Sequence, residues 1–556
     1  MKIKLLFVPR YHQVPNTGEQ MGFLSYPPLG ISTLTSYLQK NHIDVAQDDL
    51  DIKTEYEIDI RRRNIDLSVF NDKKRVEAFL STGAEETLEE NAEKILRLTG
   101  LGGYDVVGLS VENPDNISTA SVPVVMAKLL KEEYGCTVLL GGAINDVAES
   151  HVLASGWVDY GIIGSCETAI GEINLLSFCE AFEQGVDLGT LPGVKHFSEG
   201  KVRWNWRPYT RAEKYQITTP TFDGLPLELY RRPRHVRVGD EVHTFRGLVL
   251  MYYFMRGCPH NCAFCSQSKE QMWATKSPET IAEELQDLSH RYKTRYFYFH
   301  NPLVNPTYMF ADRLADALIK KDVNILWSDC ATLAPMDRPL LEKLHEAGAR
   351  RLVFGFESAS ERVVSLLGKP FTLNQASNTI REAHEAGIWT ELDLICGFPY
   401  ERDADTQATI RFLEAHQKWV MSCNINKFWM EGRYLLRAEE YGIRYRTDDH
   451  ALHKDWSVME FDELSGLQWK ERVALTNRTY DCLRGVIDGL FVPSPSLHSL
   501  FVYCEDPTRW RVLKNALQGT GNPEASRLGI KSEPEKSQRP TAELYNTGAV
   551  QSNGCH

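Results

Sequence analysis

Met255-Arg256-Gly257-Cys258-Pro259-His260-Asn261-Cys262-Ala263-Phe264-Cys265 is the stretch on which the reading of this chain turns. The 556 residues hold 12 cysteines, most of them scattered without regular spacing, as free thiols of a reducing compartment are. Cys258, Cys262 and Cys265 instead fall within eight residues, at spacings of four and three. An apolar run, Leu248–Phe254, precedes them and a helical pattern begins at 278, which predicts a loop at the carboxyl end of a strand. Three thiolates on such a loop are soft ligands that suit an iron–sulfur cluster or zinc. A structural zinc site wants four protein ligands, and the fourth on offer, His260, is cramped inside the same loop. A cluster held by three cysteines leaves one iron open for a chelating substrate.

Outward from the loop, strand-like runs recur at Tyr296–Phe299, Val323–Trp327, Arg351–Phe354, Trp389–Ile395 and Met421–Phe428. Helical patterns separate them at 278–291, 308–320, 338–346, 374–386 and 404–416. Six such units in ~190 residues fall short of the ~250 of a closed eightfold barrel. A partial, open (β/α)6 barrel over 246–435 is expected. Upstream, Ile3–Val8, Ile43–Val45, Val106–Val111, Val138–Leu140 and Tyr160–Ile163 alternate with helical stretches at Thr33–Lys40, 55–100 and Met126–Glu133. That alternation predicts parallel pairing through right-handed crossovers, a Rossmann-like or flavodoxin-like domain over 1–190. Such domains bind ligands at the carboxyl ends of their strands. Residues 191–245, rich in Pro, Arg and Trp with little periodicity, read as a surface connector. Residues 436–519 read as a mostly helical C-terminal domain, and the polar 520–556 as a disordered tail. The expected class is α/β.

Lys plus Arg is 62 against 75 Asp plus Glu, a formal charge of −13. That balance argues against a nucleic-acid partner, whose phosphates need a basic footprint. No apolar run approaches the ~18–20 residues of a membrane span. The apolar start stops at Pro9 and Arg10, so it reads as a buried strand and not a secretory signal; cytoplasmic location is expected.

Cys258-x3-Cys262-x2-Cys265, with Phe264 before the last cysteine, resembles the signature of the radical S-adenosylmethionine (radical SAM) enzymes, over about residues 246–430. The resemblance implies that the three cysteines hold a 4Fe-4S cluster whose open iron binds the amino and carboxylate groups of SAM. One electron then cleaves SAM to methionine and a 5′-deoxyadenosyl radical. Phe264 is implied near the adenine. Arg351-Leu-Val-Phe-Gly-Phe-Glu357-Ser resembles the family's fourth-strand segment, with Glu357 facing SAM; the plain alternative is a carboxylate at a helix N-terminus. Leu394-Ile-Cys-Gly397-Phe-Pro399 resembles the fifth-strand segment that passes the adenine. Ser328 and Asp329, expected to close the third strand, either contact SAM polar groups or cap a helix. Where many members carry Gly-Gly-Glu after the second strand, and the cobalamin subfamily an Asp-rich segment, this chain reads Tyr298-Phe-His300-Asn301-Pro302. His300 is either a packed histidine or a substrate-facing acid–base group.

The N-terminal part resembles the cobalamin-binding domain of cobalamin-dependent radical SAM enzymes. The matching segments are Tyr26-Pro-Pro-Leu-Gly30-Ile-Ser32, Val107-Gly-Leu-Ser110, Leu140-Gly141-Gly142-Ala143 and Asp159-Tyr-Gly-Ile-Ile-Gly164-Ser165-Cys166-Glu167. Glycines at strand ends let the backbone approach a flat ligand. The alternative is a flavodoxin-like domain with ordinary turn glycines. Ser32, Ser110, Gly141 and Gly142 are implied beside the corrinoid. The family's frequent Gly-Glu-Gly-Glu is replaced by Gly164-Ser165-Cys166-Glu167, and the Asp-x-His-x-x-Gly motif that supplies a lower histidine ligand elsewhere is absent. The lower cobalt face is therefore implied to be open or water-bound. Gly432-Arg433 through Ile443 resembles the connector into a C-terminal domain that lines the substrate side. Trp429, Tyr434 and Trp456 either line an apolar pocket or belong to the core.

The implied activity is methyl transfer to an unactivated carbon of a small metabolite or peptide natural product. An external electron donor of flavodoxin or ferredoxin type would serve it. Cyclisation, ring rearrangement or oxidation without methyl transfer is the alternative within the superfamily. A metal-binding or electron-carrying protein that does not turn SAM over is the rival of a different class.

Overall fold

The computed structural model describes residues 1–9, 26–61, 63–112, 117–143, 152–164, 170–205, 207, 209–238, 241–265, 273–428, 440–446 and 460–506. The tail expected over 520–556 lies outside them, as do Ser165, Cys166, Glu167, Trp429, Gly432, Arg433, Tyr434 and Trp456.

Strands β1 (Lys2–Phe7), β2 (Asp44–Asp49), β3 (Val106–Glu112), β4 (Thr137–Ala143) and β5 (Tyr160–Ile162) form a parallel sheet in the order β2-β1-β3-β4-β5. Both faces are covered, so the strands other than β2 carry apolar runs. Ile3, Leu5 and Phe7 pack with the helices Leu29–Lys40 and Gly171–Gln184. Leu6 and Val8 face the opposite layer, with Val76, Leu88 and Val122. The order reverses between β1 and β3, the switch point where such sheets hold ligands. Strand β2 runs well beyond its apolar start because its polar end is satisfied. Gln47 donates to Thr221 O at 2.8 Å and Asp223 O at 2.9 Å, and Asp49 accepts from Ile52 N and the Tyr230 hydroxyl.

The stretch from 191 to 245 carries more regular structure than its composition suggests. Strands β6 (Val194–Ser198) and β7 (Lys201–Trp204) extend the N-terminal sheet antiparallel, and β8 (Arg234–Val238) pairs with β9 (Glu241–Phe245). Short hairpins with one wet face leave no long apolar run to read.

The second sheet is the expected open barrel. Strand β10 (Val249–Tyr252) leads to a small hairpin of β11 (Met255–Arg256) and β12 (Ala274–Thr275). Then follow β13 (Tyr296–Phe299), β14 (Leu326–Ala331), β15 (Ala349–Glu357), β16 (Trp389–Cys396) and β17 (Ser422–Lys427). The order β10-β13-β14-β15-β16-β17 is parallel throughout. Helices Pro278–Tyr292, Tyr308–Lys320, Arg338–Glu346, Leu373–Glu385 and Asp403–His416 alternate with the strands. Strand β14 begins and ends later than its apolar run suggested, so Ser328 and Asp329 lie inside it.

Strands β18 (Ile443–Tyr445) and β19 (Phe461–Glu463) pair antiparallel before the helices Trp469–Leu490 and Leu497–Glu505. The final helix corrects the expectation that all of 436–519 faces substrate. It packs with Val249, Leu326 and Trp389, each at the start of its strand. It therefore closes the barrel at the end away from the cysteines, whereas Tyr441 reaches the cysteine loop itself. No helix among the described residues is long and apolar enough to cross a membrane.

Candidate functional site

The cysteine loop leaves β10 at the carboxyl end of the barrel and is held from several sides. Asn301 Oδ1 accepts from the amides of Phe254 (2.9 Å) and Met255 (3.1 Å), while its Nδ2 donates to Asp329 Oδ2 (2.8 Å). Asp329 is fully buried, and burial raises its carboxyl well above the usual range. The departure at His300-Asn301 thus supplies an anchor for the loop. His300 itself is exposed at the rim, its ring 6.0 Å from that of Tyr298, which removes the reading of a packed histidine.

Further along, Ala263 N donates to Leu367 O (2.8 Å), Tyr441 Oη to Ala263 O (3.0 Å) and Cys265 N to Cys262 O (3.2 Å). All three cysteines are free thiols, Cys258 buried and the other two half-buried. Burial pushes the Cys258 thiol up to about 11. It also raises Cys262, against which the charge of Lys369 works. Among the described residues no three thiols, imidazoles or carboxylates converge as for a single ion. Three soft donors spread along one loop fit a cluster that takes one sulfur per iron.

Glu357 ends β15 with φ at 66°, a left-handed conformation that a non-glycine residue adopts at a cost of about 1–3 kcal/mol. Its Oε1 lies 3.0 Å from Lys369 Nζ, and the two side chains are 6% and 8% exposed. Lys369 also stands over the Phe264 ring, 5.2 Å from its centre. Burial works against its ammonium, yet the charge of Glu357, with that of Cys262 once it is a thiolate, outweighs that and holds its pKa above the usual lysine value. Burial likewise raises Glu357, with Lys369 opposing. The pair fits because Gly355 leaves room: a Cβ there would come 3.0 Å from Glu357 Oε1 and 3.1 Å from Lys369 Nζ. Phe264 packs with Phe398, Phe428 and Tyr441 beside this pair.

Lys369 is a residue the motif reading missed; it lies outside every quoted segment, and only folding brings it to Glu357. Asp393 was missed too. It is half-buried in β16, in register with Gly355 and Asn424, whose Nδ2 stands 3.3 Å from Asp393 Oδ1. Burial, with repulsion from Glu391 and Glu357, pushes its carboxyl up to about 7. Ser328 is corrected. It is fully buried and accepts from Arg351 Nε at 3.0 Å. Arg351 also lies 3.6 Å from Glu391, so Ser328 belongs to a buried polar layer inside the barrel and not to the strand's end.

At the N-terminal sheet, Phe7, Ser110 and Gly141 stand in register across three strands at their carboxyl ends. Among the described residues Gly141 is a clearing: the nearest atom to a Cβ placed there would be Ile162 O, 3.9 Å away. Among the described residues, a Cβ on Gly30 or Gly164 would meet nothing within 4 Å. Gly142 serves the fold instead, with φ at 103° and only 2.1 Å between its would-be Cβ and Val111 O. Ser32 is also corrected. It is fully buried in its helix, where Oγ donates to Pro28 O at 2.7 Å, so its hydroxyl is engaged within the fold.

An open parallel barrel with a three-cysteine loop at its carboxyl end, joined to a doubly wound domain, defines the class. Residues 252–413 match the family model of the Radical SAM superfamily, and this part of the chain is a radical SAM domain. An uncharacterized methyltransferase of Pyrococcus horikoshii is 28% identical over 44% of this chain and 50% of its own length. The anaerobic magnesium-protoporphyrin IX monomethyl ester cyclase of Rubrivivax gelatinosus is 26% identical over 55% of this chain and 53% of its own length. The chain thus spans about half the length of the curated relatives it matches. Among solved structures, the radical S-adenosylmethionine methyltransferase TsrM of Kitasatospora setae, with tryptophan and a SAM analogue bound, shares the fold. It aligns over 81% of this chain and 79% of its own, at 16% identity and a TM-score of 0.53.

Proposed function

We propose that this protein is a cobalamin-dependent radical SAM enzyme that transfers a methyl group to an unactivated carbon of a small metabolite or peptide natural product. The observation that carries the reading is the grouping of the cysteine loop with the Glu357–Lys369 pair at the barrel's carboxyl end, beside a domain whose strand ends are cleared by glycine.

Cys258, Cys262 and Cys265 are the three ligands of a 4Fe-4S cluster. Lys369 offers an ammonium to the SAM carboxylate, and Glu357 and Asp393 offer acceptors to its amine and ribose hydroxyls. Phe264, with Phe398 and Phe428, gives the adenine an apolar wall. Ser110, Gly141 and Gly164 receive the corrinoid, as the solved TsrM holds cobalamin and a [4Fe-4S] cluster on the same fold. When bound, these groups supply a hydrogen-abstracting radical and a transferable methyl group. His300 faces the substrate side. We assign 1–190, together with the β6–β7 hairpin that extends its sheet, to the corrinoid, the rest of 191–245 to the connector, 246–435 to the barrel and 436–519, whose final helix closes the far end of the barrel, to a C-terminal domain. A flavodoxin- or ferredoxin-type donor and a cytoplasmic setting complete the reading.

The second reading, cyclisation or oxidation without methyl transfer, is favoured by the likeness to the Rubrivivax gelatinosus cyclase. One anaerobic experiment separates them. The protein is reconstituted with iron, sulfide and hydroxocobalamin, given SAM, reductant and a candidate extract, and its products are weighed by mass spectrometry. Deoxyadenosine with S-adenosylhomocysteine, and one extract component heavier by a methylene, is the expected result. Deoxyadenosine alone, with a product of equal or lower mass, selects the second reading.

A further inference from the structure

We propose that Glu172 is a positioning residue that fastens the base of the cysteine loop to the ligand edge of the N-terminal domain. Glu172 is the second residue of the helix Gly171–Gln184 and is buried. Its Oε1 accepts from the Tyr253 hydroxyl at 3.2 Å and from Arg256 Nη2 at 3.0 Å. Tyr253 directly follows β10, and Arg256 sits in β11, two positions before Cys258. One carboxylate oxygen therefore gathers donors from the last stretch of chain before the first cysteine.

The other end of this tether is equally fixed. Asn174, on the first turn of the same helix, donates from Nδ2 to Ile163 O at 2.8 Å. A Cβ on Gly171 would come within 3.1 Å of Gly164 Cα, so the helix start lies against the carboxyl end of β5. Arg256 also donates from Nη1 to Gln216 O at 3.3 Å. Across the hairpin, Lys276 Nζ donates to Thr219 Oγ1 at 3.0 Å. Both strands of the hairpin are thus tied down, and Glu172 carries the tie to the N-terminal domain. Charge-assisted bonds of a buried carboxylate are strong, and removing one partner strands the other. The consequence rests on the proposed function: what the cysteines bind and what lies over Gly141 and Gly164 are held in one relation.

The test has two arms. In the first, hydrogen exchange at the amides of Phe254, Met255 and Arg256 is followed in the protein without cofactors. Glu172→Ala speeds exchange about tenfold or more, while Glu180→Ala, at an exposed position of the same helix, does not. Arg256→Gln gives the same rise from the other side, and Glu172→Gln replaces Glu172→Ala should the latter not fold. Unchanged exchange in these variants overturns the proposal. In the second arm, pulsed EPR measures the distance between the reduced cluster and cob(II)alamin in protein loaded with iron, sulfide and hydroxocobalamin. A distribution narrow in wild type and broad in Glu172→Ala, at equal iron and cobalt content, is expected; an unaltered distribution overturns the positioning role. If wild type takes up no cobalt, the proposed function fails, and the exchange arm still decides whether the tether exists.

Discussion

At the cysteine end of the barrel, three thiols and the Glu357–Lys369 pair crowd soft and charged side chains into a space that Gly355 leaves open. At the carboxyl edge of the N-terminal sheet, Gly141 and Gly164 offer mostly clearance among the described residues. Among the described residues, one region is defined by what its side chains do, the other by where side chains are missing. In the proposed function the first recognises its ligands through charge and coordination. The second suits a large flat ligand held by shape, whose fit depends on backbone position. Substitutions at the two places should therefore fail differently.

The largest effect expected is at the cysteines. Cys262→Ala abolishes the visible absorbance of the reconstituted cluster and its iron, while cobalt uptake stays at the wild-type level. Metal analysis of the same sample checks both. Loss of cobalt together with iron would break the comparison, because it would make the two ends one folding unit. Next in size is Lys369→Met. It leaves Glu357 buried without its cation, and breaking such a pair costs about 3–5 kcal/mol. Denaturant unfolding measures that loss, and SAM binding should weaken with it. A variant of undiminished stability would show that solvent reaches Glu357.

The glycines sharpen the other side of the comparison. Gly142→Ala forces a Cβ into Val111 O at a left-handed φ and is expected to cost about 3 kcal/mol of stability. Gly141→Ala, one residue away, meets no described residue closer than 3.9 Å and should leave the melting curve unchanged while weakening cobalamin uptake. Equal melting curves for the two variants would end the distinction between a clearing and a fold-required glycine.

These two adjacent glycines also show where reading the sequence stops. The barrel was legible almost strand by strand, because most of its strands begin in or carry an apolar run and amphipathic helices lie between them. The cysteine loop was legible because thiol spacing is itself the chemistry. Gly141 and Gly142 look alike in sequence; only the approach of Val111 separates them. Ser328 looked like a strand-end group because the apolar run stopped before it. Its hydroxyl stays buried only because Arg351 arrives from the next strand. Lys369 and Asp393 went unread for the same reason: each gains its role from a neighbour distant in the chain. The hairpins between 191 and 245 have too little buried surface to leave a pattern.

The smallest effect concerns Asp393, and its sign is the informative part. Its carboxyl stands at about 7 in the folded protein against an ordinary value of 3.8. The folded state therefore keeps this proton over a range in which the unfolded chain has lost it. Stability from this group is fully present below the unfolded value and declines as pH rises toward 7, because a charge must then be carried beside Glu391 and Glu357. Asp393→Asn removes that charge and preserves a hydrogen-bonding side chain opposite Asn424. It should leave stability near wild type at about pH 4 and raise it by about 2 kcal/mol at about pH 8. Denaturant midpoints at the two pH values test this. A variant less stable than wild type at the higher pH would mean that the ionised carboxylate is already compensated within the barrel. SAM binding by the variant then separates two roles for the carboxylate. If affinity falls while stability rises, Asp393 is kept at a cost to the fold for what it binds, as Glu357 is kept at the cost of its backbone conformation. If affinity is unchanged, the cysteine end relies on Glu357 and Lys369 alone.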